Sequence, residues 1–315
     1  MTTIQKTTDW LLAAETPSIA YQTRKDLRPA GSPPGKLREA GRRIMRTGAV
    51  PAILSRQSKG GNWKIDRGYY GPKFFSTHWS MVMLAELGAD GKDARFQRGA
   101  EYMLQATRAE LLANLEGEAY HSSCFWGNLL RYAIQAGFAN DPRVDGIVQY
   151  LTLDMKNGYC TCRHNYENPC AWGAARSLWG LAVIPKRART KEVDTAIRGG
   201  IRFLLADHRL ERADYPIHPG GKVNPLWFKL NFPLFYQVDI LFTLRVLDEL
   251  EVLDHRGARA ALDWLAARRR PDGRWKGSSP YRLRTWREMG APPETDRWVT
   301  LQAIRILRHA GRSVE

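Results

Sequence analysis

Cysteine is scarce in this chain. Four residues in 315, Cys124, Cys160, Cys162 and Cys170, all fall in one short middle segment. A disulfide framework would spread its cysteines, so a stapled scaffold is excluded and a local site is expected. Long apolar runs are missing too, which excludes a membrane-spanning helix. The stretch Met1 to Asp9 has no apolar signal core, so the expected compartment is the cytoplasm. Acidic residues are in deficit, 32 against 48 Lys and Arg, leaving a net charge of +16. That balance suits an anionic partner such as nucleic acid, an anionic surface or a phosphorylated small molecule, or else a basic, well-solvated surface. The charge is dispersed, and no known nucleic-acid module is present.

What the chain does have is a repeat. A helical stretch with an aromatic–Leu pair runs into a short turn, and a second helical stretch follows. The clearest copy is Arg256 to Trp275, with Trp264-Leu265 and then Asp272-Gly273-Arg274-Trp275. The anchors Tyr102, Tyr150, Phe203 and Trp264 recur at roughly 50–60-residue intervals. Gly61-Asn62-Trp63 closes an upstream partial copy, and in one middle copy the turn has become Gly158-Tyr159-Cys160.

The second stretches of the units are Ser76 to Leu87, Ser123 to Ala136, Cys170 to Ile184, Phe235 to Leu250 and Arg297 to His309. They are apolar nearly all round, as buried helices are, whereas the first stretches are amphipathic. Thr8 to Leu27 and Lys36 to Arg46 complete a sixth pair, and Pro292 to Asp296 reads as a turn before the last helix. The expected fold is all-α, one domain over residues 1–315 with a divergent helix pair in 1–50. Six alternating pairs close into an (α/α)6 toroid; an open α-solenoid is the alternative.

The aromatic–Leu pair with Asp272-Gly273-Arg274-Trp275 resembles the repeat of squalene cyclases and protein prenyltransferase β subunits. Tyr69-Tyr70-Gly71-Pro72-Lys73, Cys162-Arg163 and Asp239 make the chain similar to small single-domain bacterial proteins carrying that repeat. The resemblance implies the toroid and an isoprenoid or prenyl-diphosphate-like substrate. It does not extend to the acidic signatures: neither Asp-x-Asp-Asp nor Asp-Asp-x-x-Asp occurs. The prenyltransferase zinc ligands, Asp, Cys and His, are present as residue types but not in the family's Asp-x-Cys spacing. A partner subunit is needed in that family; here none is indicated or excluded.

Chemistry concentrates in His121-x-x-Cys124, Cys160-x-Cys162-x-His164 and Cys170. Thiolates and imidazoles suit zinc. Registering the repeats puts Cys124, Cys170 and Asp239 at the starts of successive inner helices, ringing one mouth. Candidate metal ligands are Cys124, Cys162, His164 and Asp239, and candidate catalytic groups are Asp239, Cys124 and His164. Two other readings stand beside this one: small buried hydrophobes that happen to be neighbours, and a reactive thiol at a helix N-terminus without metal. Lys73, Arg163 and Lys229 are candidates for an anionic substrate group, with Lys222 in the loop Asp214 to Lys222. Trp126, Trp179 and Tyr236 are candidate walls of a central apolar cavity, against the alternative of plain core packing.

The function expected is an enzyme on an isoprenoid or prenyl-diphosphate-like substrate. The alternatives are a basic helical-repeat protein binding nucleic acid or an acidic partner, and a metal-dependent enzyme on another substrate.

Overall fold

The computed structural model of the protein describes every residue except 1, 28, 30–32, 64–65, 67, 118–121, 290 and 315. Helices dominate, as the periodicity requires. In chain order they are α1 (Thr3–Leu12), α2 (Pro17–Gln22), α3 (Pro34–Ile44), α4 (Ala49–Leu54), α5 (Thr77–Glu86), α6 (Ala94–Ala106), α7 (Arg108–Leu115), α8 (Ser123–Gln135), α9 (Pro142–Asp154), α10 (Ala171–Ala182), α11 (Lys191–Arg202), α12 (Ile240–Glu249), α13 (Arg259–Ala266) and α14 (Pro292–His309). Among the described residues the only paired strands are a small antiparallel hairpin, β1 (Thr161–Cys162) with β2 (Asn168–Pro169). No helix among them is long and apolar enough to cross a membrane.

Two kinds of helix alternate. In α5, α10 and α12 nearly every side chain is buried, for example Gly173 through Leu181 without interruption. In α6, α9, α11 and α13 only one stripe is buried, such as Val193, Ala196, Ile197 and Gly200. The spacing of that stripe is the 3.6-residue period of a helix with one wet face.

The repeat turn has a fixed anatomy. Trp63 donates its indole N–H to the Ile53 carbonyl at 2.7 Å, and Trp275 does the same to Leu265 at 2.8 Å, ten residues back in both cases. The backbone N–H of each Trp is accepted by a threonine hydroxyl of the following inner helix, Thr77 or Thr300, at 3.0 Å. The preceding glycines Gly61, Gly158 and Gly273 have φ of +90°, +88° and +80°, which L side chains rarely adopt. A Cβ there would also strike a neighbour: the Arg98 carbonyl on α6 for Gly61, the Gly199 carbonyl on α11 for Gly158, and Thr3 and Thr7 on α1 for Gly273. In the middle copy Cys160 occupies the Trp position, buried, and its carbonyl accepts the Cys170 N–H at 2.9 Å.

Three boundaries differ from those expected. Thr8 to Leu27 is not one helix: α1 ends at Leu12 and α2 restarts at Pro17, because proline is accommodated in a first turn but not inside a helix. Pro292 to Asp296 is not a turn but the opening of α14, with both prolines in its first turn. Phe235 to Asp239 is not helical, since Asp239 caps α12 and the chain before it is irregular.

The two ends of the chain meet. The Thr16 N–H is accepted by the Glu294 carboxylate at 2.8 Å, and Thr7 donates to the Asp272 carbonyl at 3.4 Å. On its other side α2 reaches the end of α5, where Ser18 donates to the Leu87 carbonyl at 2.6 Å. Where α5, α10 and α12 face one another, buried ionic groups meet. Arg245 of α12 holds Glu86 of α5 through two bonds of 2.7 Å. Arg176 of α10 bonds the Gln237 carbonyl at 2.7 Å and stands 3.9 Å from the Phe242 ring centroid. Burial draws the Arg176 guanidinium below its usual range, yet it remains a cation at neutral pH.

Candidate active site

A cavity of about 530 Å³ opens where the segments entering α5, α8, α10 and α12 converge. Its volume lies within the range of small-molecule sites. Tyr69, Tyr70, Phe125, Trp172 and Tyr236 give it aromatic walls. Lys73 enters with its ammonium 4.6 Å from the Tyr236 centroid and 5.2 Å from that of Tyr70. Partial burial pulls the Lys73 ammonium below its usual range, although the nearby Cys124 works in the other direction. Tyr69 donates its hydroxyl to the Glu110 carboxylate, and burial together with that carboxylate raises the phenol.

One wall carries sulfur. Cys124 starts α8, Cys162 ends β1, and Cys170 precedes α10, where its sulfur accepts the Gly173 N–H at 3.4 Å. The three thiols differ sharply in acidity. Cys162 falls to about 6: the Cys170 thiol bonds to it, the backbone N–H groups of His164 and Asn165 point at it, and the His164 charge adds to them, all against the cost of burial. Cys170 rises well above its usual value, chiefly because its proton is engaged by Cys162. A helix N-terminus lowers a thiol, but at Cys124 burial wins and lifts it to about 11, with Cys162 reinforcing the shift. Cys160 is buried and raised by that burial, so it stays a thiol. The hairpin has thus made Cys162 more acidic than an ordinary thiol and the other three less so.

The structure brings Cys124, Cys162, His164, Lys73 and Tyr236 to this cavity. It does not bring the rest. Asp239 is fully buried beneath it: one carboxylate oxygen caps α12 through the Phe242 N–H at 2.7 Å, and the other accepts the Asn231 backbone and side-chain N–H groups, each at 2.8 Å. A carboxylate so committed neither reaches a ligand nor joins Cys124, Cys162 and His164 around a metal. Among the described residues no group of three or more His, Cys, Asp or Glu side chains is placed to hold a metal ion. His121 lies outside the described residues.

Trp126 and Trp179 are core, not cavity wall. Trp126 packs on Tyr150 at 5.8 Å, and Trp179 is sandwiched among the guanidinium groups of Arg131, Arg176 and Arg245. Lys229 borders a separate opening beside Arg268 and Lys276, and Arg163 is exposed outside the cavity wall. Glu110, which closes one side of the cavity with the Tyr69 hydroxyl, had no signal in the sequence: a lone Glu on a helix reads as surface. Cys170 had one, its place one residue before an inner helix.

No protein-family model, curated protein or solved structure matches this chain.

Proposed function

We propose that this chain is a cysteine-dependent enzyme, built on a closed ring of six helix pairs, that acts on an apolar, isoprenoid-sized molecule with an anionic end. The ring is supported by the repeat turns. Gly61 and Gly158 each press on the outer helix of the next unit, and Gly273, in the last unit, presses on α1 of the first. The bond from Thr16 to Glu294 ties the same ends together. In an open solenoid the last turn would have no such neighbour.

The activity rests on one observation: Cys162, whose hairpin neighbours draw its thiol toward the ionised form, lines a cavity whose other walls are largely aromatic. Such walls take up apolar chains and stabilise positive charge over their π faces. The Lys73 ammonium is the counter-ion for the substrate's anionic end. Cys162 then attacks an electrophilic carbon held against it. The S–C bond forms, and the leaving group departs with its bonding pair and takes a proton from His164. Cys170 acts as a positioning residue by donating its proton toward the attacking sulfur. The alternative of a nucleic-acid binder draws on the charge alone, and many of the arginines are committed internally, such as Arg143 to Glu101 and Asp141.

The test is the pH dependence of Cys162 alkylation by iodoacetamide, read by mass spectrometry with buried Cys160 as internal reference. A midpoint near 6 is expected; a midpoint at the ordinary thiol value of about 8.5 refutes the reading. Farnesyl diphosphate is expected to protect Cys162, and Lys73→Ala to weaken that protection roughly tenfold, the worth of one charge-assisted bond. Stoichiometric zinc lost on Cys162→Ala would transfer the site to the metal-dependent alternative.

A further inference from the structure

The sulfur wall has two sides. Behind it lies a second cavity of about 290 Å³. Cys162, His164, Cys170 and Trp172 line both chambers. The far side of the second one is the irregular chain from Ala213 to Trp227, which includes His218, Lys222 and Asn224. This segment is fastened to the hairpin. The Asn165 side chain donates to the Pro216 carbonyl at 2.9 Å and accepts the His218 N–H at 3.0 Å. His218 packs its ring on Tyr166 at 4.7 Å, so it is held in place.

The polar lining of the two chambers differs. The larger one has its own cation, Lys73, and one carboxylate, Glu110. The smaller has an ammonium, Lys222, two imidazoles, His164 and His218, and no carboxylate. It also receives the start of α10, Cys170 through Trp172, whose first turn is the positive end of a 12-residue helix. A small chamber with an ammonium, two imidazole donors, a helix N-terminus and no acid is matched to an anion.

We propose that the smaller chamber binds a second substrate, a compact carboxylate or phosphate, on the side of the Cys162 sulfur opposite the apolar substrate. Because each chamber has a cation of its own, the anion here is a separate molecule and not the anionic end of the first substrate. The inference rests on the reading of Cys162 as the reactive group, and it makes the enzyme a two-substrate catalyst.

The experiment reads alkylation of Cys162 by iodoacetamide near neutral pH, with inorganic pyrophosphate or glutarate as probe. Saturable protection is expected from one of them, about tenfold at ten times its Kd. Pyrophosphate alone assigns a phosphate, glutarate alone a carboxylate. Protection should be lost in Lys222→Ala and weakened in His218→Gln, both loop substitutions remote from the core, and kept in Lys73→Ala. Absence of protection by either probe overturns the proposal. So does protection that survives Lys222→Ala but disappears in Lys73→Ala, since the anion then sits in the larger cavity. A normal thiol midpoint for Cys162 sinks the thiolate reading separately, because the small thiolate fraction of an ordinary cysteine near neutral pH still alkylates and the protection remains measurable.

Discussion

Replacing Glu86 by Gln is expected to be the most damaging single change at the centre of the fold. Glu86 and Arg245 are both buried, with side-chain exposures of 7% and 8%, and share two bonds of 2.7 Å. Burial alone would raise the Glu86 carboxyl, but Arg245, with Arg176 and Arg131 behind it, holds it below the usual range. Removing its charge strands Arg245 and worsens the position of Arg176, which is fully buried. Breaking a buried pair from one side costs about 3–5 kcal/mol. For 315 residues, an unfolding entropy of roughly 0.66 kcal/mol/K turns 4 kcal/mol into a fall of about 6 °C in Tm. Arg245→Met should cost less, because Glu86 keeps two other guanidinium groups within reach. The double variant Glu86→Leu/Arg245→Met should recover part of the loss, since Arg245 is no longer stranded, but not all of it, because Arg176 still loses the Glu86 charge. The assay is denaturant and thermal unfolding followed by tryptophan fluorescence, with Trp179 packed against both Arg176 and Arg245. The reasoning fails if Glu86→Gln lies within about 1 kcal/mol of wild type, the range of a surface pair, or if Arg245→Met proves the costlier of the two.

Further outcomes follow from the same geometry. Asp239→Ala should destabilise by about 2–3 kcal/mol, from a lost cap and the orphaned Asn231 backbone N–H, while the Asn231 side chain keeps the Leu226 and Lys229 carbonyls. If activity per folded molecule collapses while stability holds, Asp239 is catalytic after all. His78 is buried against Phe125 and held neutral, with burial and then Arg176 pulling it to about 3. Its folded value lies below its unfolded one, so its contribution to stability is complete above pH 6.5 and is lost as pH falls from there toward 3. The slope is at most about 1.4 kcal/mol per pH unit, and His78→Gln should flatten the acid limb of the stability profile by one proton. Gly158→Ala should cost about 2–4 kcal/mol, combining a positive φ with a Cβ pressed on the Gly199 carbonyl. Unfolding midpoints equal to wild type would contradict the close approach of that turn to α11.

Periodicity made the helices legible, and the period alone separated stripe-buried from fully buried ones. That is local physics: a side chain every 100° either meets water on one face or on none. The glycine turn was legible for the same reason, since a tight turn of fixed type needs φ above zero wherever it occurs. The clustering of Cys124, Cys162, Cys170 and His164 near one mouth also came from register, because equivalent positions in stacked units lie at equivalent heights.

Register gives height along an inner helix but not the direction in which a side chain turns. So Asp239, at the right height, faces inward and caps its own helix, while Trp126 and Trp179 became core. Nor does a sequence state which of four cysteines is the most acidic. That depended on two strands bringing Cys170 and the His164 and Asn165 amides to one sulfur, and on burial overriding the helix end at Cys124. The ionic centre was equally hidden, because Glu86, Arg176 and Arg245 are ordinary helix residues until α5, α10 and α12 face each other. The sequence by itself determined what repeats; the tertiary structure decided which of the repeated positions share a space.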